Sequence, residues 1–440
     1  MLIGIGAAVI AAVASLMAGG FSGQARLRPL EILSANAAGT PEQQALGRLL
    51  AGLSSGNTAA YVQKLERAVA RHPRDGDSLA VLGLAYQQRA RETGDPAFYR
   101  LSGSALRRAS QAHGSAALIM QGDASLANTR HRFTKGLRLA REAIRLAPEN
   151  GAAYGALGDA LLNLGRYSQA FRVYDRMALL APGIASFTRV ANARELLGRP
   201  AAAAEADELA LEAGSAVPEN VAWTVVQLGN VHFNTGHLAE AAAAYRQALR
   251  RLPGYVHAEA GLARIEASEG RYAPAIARLR RVVAELPIPA YVILLGDTLG
   301  AAGHKRAARR EYALVGAIER LFAANGVRTE LQTALFDLDH DRHVAEALRR
   351  ARTAYASAPS IYAEDALAWG LFRAGRCEQA RAHSGRALRL GTRDALLIFH
   401  RAMIERCLGS TSARSWFHRA LAINPHFSIL WAPVARKAVG

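Results

Sequence analysis

Only two cysteines, Cys377 and Cys407, occur in this chain of 440 residues. Two thiols cannot build a disulfide framework or a four-cysteine zinc site. Lysine is nearly absent: Lys64, Lys135, Lys305 and Lys437 are the only four, so arginine carries almost all of the positive charge. Aromatic residues make up 7% and charged residues 20%, whereas hydrophobic residues reach 51%. That apolar share is too high for a disordered chain. Much of it is alanine, which has the best helix propensity and lets helices approach closely. Runs of β-branched residues are few, so the composition points to packed helices.

Catalytic signatures are missing too. The stretch 300–305 (GAAGHK) has neither the spacing nor the hydroxyl of a phosphate-binding loop. No HExxH or CxxC occurs, and no dinucleotide-binding glycine fingerprint follows a strand. Neither an enzyme nor a cofactor is expected. The sharpest chemical cluster is Asp337, Asp339, His340, Asp341 and His343. Such ligands suit a hard or borderline cation, but no motif of fixed spacing supports one. The cluster is read as a solvated turn with an aspartate capping the next helix, and no metal is expected.

No charged side chain precedes Arg26, and residues 2–21 form a mostly apolar run. Twenty such residues are long enough to span a bilayer, and they also fit the apolar region of a secretory signal. Arg26 and Arg28 follow the run, which weakly opposes export of the remainder. A buried helix capping the rest is the blander reading, and the four glycines in the run argue against it. Residues 1–25 are therefore expected to be a signal peptide or membrane anchor, and 26–40 a linker. The protein is expected to be membrane-anchored or exported rather than cytoplasmic.

Beyond residue 40 the chain repeats itself. Gly165, Gly198, Gly236, Gly270 and Gly303 are separated by 33, 38, 34 and 33 residues. An alanine follows each after five residues: Ala170, Ala203, Ala241, Ala275 and Ala308. Pro148 and Pro182 are 34 apart, as are Pro253 and Pro287. An extra loop at 214–219 accounts for the long interval. One unit reads Tyr154, Leu157, Gly158, Leu161, Gly165, Tyr167, Ala170, Tyr174 and Pro182. Another reads Val225, Leu228, Gly229, His232, Gly236, Ala241, Tyr245, Ala248, Leu249 and Pro253.

This pattern resembles the tetratricopeptide repeat, whose period is about 34 residues. The resemblance implies an all-α fold, a right-handed α-solenoid of about eleven helix pairs behind an N-terminal apolar helix. The solenoid is expected over 41–427 and a C-terminal cap over 428–440. It also implies a scaffold that binds a protein or peptide partner, with membrane contact through the N-terminal segment.

In such an array the first helix of each pair lines a concave groove. The groove face then carries Trp223, Asn230 and Phe233 on one helix and Tyr362, Asp365, Trp369 and Phe372 on another. Neighbouring helices add Asp159, Asn192, Arg264 and Asp297. Aromatics supply binding hot spots and amides can bond peptide backbone. An aromatic stripe at helical spacing is as readily core, so both readings stand. Cys377 begins a second helix and Cys407 ends the next first helix, on one edge of the solenoid. A bridge between them and two unrelated buried thiols are the alternatives.

The net charge of +18 favours anionic neighbours. Arginines gather on second helices, as in Arg246, Arg250 and Arg251, Arg278, Arg280 and Arg281, Arg306, Arg309 and Arg310, and Arg349, Arg350 and Arg352. A charge run of this kind is usually a solvated face. Its functional reading is contact with an anionic surface. Few aromatics interleave with these arginines, so nucleic-acid binding is the runner-up.

Overall fold

Helical hairpins follow one another from Pro41 to Ile423 in the computed structural model, which describes residues 41–440 apart from 54–55 and 216. The described residues form 23 α-helices and no strand. Twenty-two of them pair into eleven hairpins, and the last, Ala432–Val439, closes the array. The units span 41–71, 76–111, 116–146, 151–180, 184–213, 218–251, 256–285, 289–324, 330–357, 361–387 and 395–423, numbered 1 to 11 in that order. The expected N-terminal helix and linker lie outside the described residues. No helix among the described residues is long and apolar enough to cross a membrane.

Local chemistry starts and stops these helices. Asn57, Asp75, Ser115, Asn150, Ser360 and Asp394 each accept a backbone N–H at a helix N-terminus. Between the two helices of a unit the chain makes one left-handed turn. Gly165 sits there at φ +71° and Gly303 at φ +86°, a conformation glycine adopts without a steric cost. In units 3 and 9 the same turn position is held by His131 at φ 56° and Asp341 at φ 55°. Polar side chains tolerate this conformation better than branched ones, and they hide these two units from a search for turn glycines.

In units 4, 6 and 8 a tyrosine of the second helix packs on a glycine of the first. A Cβ on Gly158 would stand 2.3 Å from the Tyr174 ring, one on Gly229 2.6 Å from Tyr245, and one on Gly296 2.3 Å from Tyr312. The alanines five residues after the turn, Ala170, Ala203, Ala241 and Ala275, have no exposed surface at all. Small residues thus set the distance between the helices, and tyrosine fills the space beside them.

The units wind into a superhelix whose successive turns touch. The turn inside unit n meets the turn that follows unit n+5, five times over. Gly94 of unit 2 packs on Leu286 after unit 7. His131 Nδ1 of unit 3 meets the Arg328 carbonyl after unit 8 at 2.5 Å, 197 residues on. The Ile361 N–H donates to the Tyr167 hydroxyl at 2.7 Å across 194 residues. Gly198 of unit 5 packs on the Gly391 carbonyl. Asn424 Nδ2 donates to the Phe233 carbonyl at 2.8 Å across 191 residues. Arg91 adds an ion pair to Glu219 at 2.9 Å and a hydrogen bond to Asn220 at 3.0 Å, with its own side chain almost wholly buried. One apolar cluster joins Leu137, Leu161 and Tyr167 of the earlier turn to Ile361 and Leu397 of the later one.

Cys377 and Cys407 are joined in a disulfide, with Cα atoms 6.3 Å apart, which ties unit 10 to unit 11. Of the two alternatives for these thiols, the fold takes the bridge. It closes a loop of 30 residues, so its reduction is expected to cost about 3.5 kcal/mol. In a repeat array that loss falls on the neighbouring units. Amide exchange should therefore speed up in units 10 and 11 after reduction and stay unchanged in units 2 to 4. Gly229→Ala forces a methyl against Tyr245 and is expected to lower stability by about 1–3 kcal/mol. Urea unfolding reads that loss, and an unchanged midpoint would refute the glycine–tyrosine account.

Candidate partner-binding surface

In units 4, 6 and 8 this tyrosine does more than pack. Its hydroxyl reaches back 15 residues to a polar side chain on the first helix, and that side chain is held in turn by a cation or ring from a later unit. Tyr174 donates to Asp159 Oδ1 at 2.9 Å. Arg189 of unit 5 grips the same carboxylate with Nε at 2.7 Å and Nη2 at 2.6 Å. Tyr245 donates to Asn230 Oδ1 at 2.8 Å, and Arg264 of unit 7 does so at 3.2 Å. Tyr312 donates to Asp297 Oδ1 at 2.8 Å, and His340 Nε2 of unit 9 meets it at 2.7 Å. Burial opposes a charge on His340, but Asp297 beside it prevails and raises its pKa. The result is a polar ladder along the inner face of the superhelix.

The groove candidates lie on that inner face, and most are enclosed. Asp159, Trp223, Phe233, Asp297, Asp365 and Trp369 are buried, while Asn192, Asn230, Arg264, Tyr362 and Phe372 keep partial exposure. Trp223 meets His257 edge-on with centroids 5.1 Å apart. Trp369 stacks on His400 at 4.1 Å, and His400 Nδ1 meets Asp365 Oδ2 at 2.9 Å. The Arg264 guanidinium sits 3.7 Å above the Phe233 ring.

The segment 424–431 runs over the inner face of units 6 to 8. Phe427 is buried there beside Phe233, Ile293 and Leu294, and the space left is about 20 Å³, roughly one water. Two tryptophans from different parts of the chain, Trp369 and Trp431, donate their indole N–H to Asp339 Oδ1 at 3.0 Å each.

The acidic and histidine cluster of unit 9 is dispersed. Asp337 faces Arg350 at 3.1 Å, Asp339 takes the two indoles, His340 turns to Asp297, and Asp341 pairs with Arg373 at 2.7 Å. Among the described residues no three such side chains converge as metal ligands would. Asp339 ends the first helix rather than lying in a solvated turn, no aspartate caps the next helix, and His340 and Asp339 serve the ladder and the C-terminal closure, roles that sequence spacing could not reveal.

Asp207 is a further surprise. It occupies the place in unit 5 that tyrosine holds in units 4 and 6. It is buried with neither oxygen hydrogen-bonded, and burial lifts its pKa well above the usual carboxylate range. A neutral carboxyl in a tyrosine's place costs stability at neutral pH.

The outer face carries the second helices. Arg246, Arg250, Arg251, Arg280, Arg281, Arg306, Arg309, Arg310, Arg349 and Arg352 are exposed there. Arg278 instead bonds to Glu266 at 3.0 Å, and Arg350 pairs with Asp337. Exposed leucines break the outer face at Leu146, Leu179, Leu209, Leu314 and Leu321.

Asp159→Ala would leave Arg189 buried and uncompensated, and a loss of about 3–5 kcal/mol is expected. Tyr174→Phe, which removes only the hydroxyl, should cost about 1 kcal/mol. Equal losses in urea unfolding would remove the ladder's charge pair from the account. Acid should act through His257, which burial and the nearby Arg91 hold down at about 4. Its folded pKa lies below the unfolded value, so the contribution is present above pH 6.5 and is lost as pH falls toward 4. The span corresponds to about 3 kcal/mol. His257→Phe should flatten the stability profile over that window, and a profile as steep as the native one would refute the assignment.

Comparison with known proteins bears on the repeat alone. A family model for the tetratricopeptide repeat matches residues 120–184 and 226–287. No curated relative matches the chain. Among solved structures, a tetratricopeptide repeat protein from Parabacteroides merdae is similar at 16% identity, with 57% of this chain and 96% of that one covered and a TM-score of 0.33. The hetero-tetramer Cut9–Hcn1 of the APC/C is similar at 13% identity, with 92% and 98% covered and a TM-score of 0.33. The family match falls on units 3–4 and 6–7, where the glycine–tyrosine pairs Gly158–Tyr174 and Gly229–Tyr245 were found, and these two stretches are tetratricopeptide repeats.

Proposed function

We propose that this protein is an interaction scaffold that binds a partner protein, working at a membrane or after export. The observation that carries the reading is the unbroken run of helical hairpins from Pro41 to Ile423. Repeat arrays of this kind offer extended surfaces rather than reaction centres. Inner-face recognition would fall to Asn192, Asn230, Arg264, Tyr362 and Phe372, the candidates that keep partial exposure. The other candidates are spent on the protein's own packing, so the outer helices carry the rest of the contact area.

Two features support action outside the cytoplasm. One is the apolar run over residues 2–21. The other is the Cys377–Cys407 bridge, since disulfides persist in oxidising compartments. The arginine-rich outer face favours a second reading, binding of nucleic acid by phosphate contacts, which demands a cytoplasmic array.

A reporter fused after Gly440 in the native host separates the two. Activity outside the cytoplasm is expected, together with capture of a defined envelope protein that the Arg264→Ala variant retains poorly. A cytoplasmic reporter with strongly salt-dependent nucleic-acid binding would replace the scaffold reading with the second one.

A further inference from the structure

The second helix of unit 8, Lys305–Ala324, does not behave like its counterparts. It is 20 residues long, where those of units 3 to 7 have 14, and only Ala308 and Val315 are fully buried. The helix is nonetheless fixed at both ends. Tyr312 bonds to Asp297, and Phe322 packs with Val327, Tyr99 and Leu126 on the seam between superhelical turns. A rigid helix therefore holds an outward face that none of the described residues covers.

That face has two halves. Lys305, Arg306, Arg309 and Arg310 are exposed in the first. Ala313, Leu314, Ala317, Leu321 and Ala324 are exposed in the second, at the three- and four-residue steps of one helical face. Leu314 is 46% exposed and Leu321 53%, and Arg320 flanks them. Among the described residues none of Arg306, Arg309, Arg310 and Arg320 has an ion-pair partner. Exposed arginines beside exposed leucines on an amphipathic helix match the chemistry of an anionic lipid interface, where the leucines enter the acyl boundary and the guanidinium groups meet phosphate. A second copy of the chain is disfavoured as the occupant, because the same basic face would oppose itself.

We infer that Lys305–Ala324 is the surface on which the repeat array rests against an anionic membrane. This contact is separate from the apolar run over 2–21 and goes beyond partner binding, which the vesicle experiment does not read. It places unit 8 at the lipid.

The test uses the full chain with its native disulfide. Leu321→Cys is labelled with an environment-sensitive dye; the native thiols are bonded, so the new one alone reacts. Leu179→Cys, exposed on the outer helix of unit 4, serves as the reference position. On vesicles of phosphatidylcholine mixed with phosphatidylglycerol, the dye at 321 should shift to the blue and brighten several-fold, while the dye at 179 should not. Phosphatidylcholine alone should give little response. Arg306→Gln, Arg309→Gln and Arg310→Gln together should abolish most of the gain at 321 without loss of helicity, since all three side chains are exposed. A dye at 321 that stays in water on anionic vesicles would overturn the inference, as would an equal response on neutral ones. A response to soluble polyglutamate but not to vesicles would overturn it in favour of an acidic protein.

Discussion

Turn-on-turn contact, repeated at a register of five units, is the constraint on which the rest of the structure depends. Helix pairs alone would give an open spiral with an accessible inner face. Here the turn inside each of units 2 to 6 is pressed against the turn that follows units 7 to 11. Close approach there demands residues without bulk or with a matching hydrogen bond. Gly198 against the Gly391 carbonyl is the first kind, and Asn424 on the Phe233 carbonyl is the second. Once the seam closes, the inner face becomes an interior, and every polar group on it must find a partner or cost desolvation energy.

The polar ladder answers that demand. Asp159, Asn230 and Asp297 share one position in their units, and each is held by a tyrosine of its own unit and a cation or imidazole from beyond it. The ladder ties neighbouring units with directional bonds where aliphatic packing alone would allow sliding. Asp207 marks where it fails, since unit 5 has a carboxyl in place of the phenol and no bond to offer it. A closed interior leaves the second helices as the main exposed surface, and these carry the arginines and the exposed leucines.

Much of this was legible in residues whose roles are local. Gly158 with Tyr174 and Gly229 with Tyr245 recur at fixed spacing because both partners belong to one hairpin, and a hairpin's geometry repeats with the chain. Asp339 was legible only as an acid in a turn. Its two indole donors come from Trp369 and Trp431, one in the next unit and one in the closing segment. The bridge between Cys377 and Cys407 was one of two readings until the edge-to-edge geometry of units 10 and 11 joined the sulfurs.

The sequence by itself determined the helices, their pairing and the period. Those depend on contacts within about 34 residues, which the spacing of glycine, alanine, tyrosine and proline records directly. Only the tertiary structure decided whether the groove was open. That outcome rests on turns separated by 191 to 197 residues. Such contacts leave no periodic trace, because each is made once and by different residue types. The burial of Trp223, Phe233 and Trp369, and the uncovered face of Lys305–Ala324, both follow from how tightly the superhelix winds, a quantity set by the sum of small angles between units.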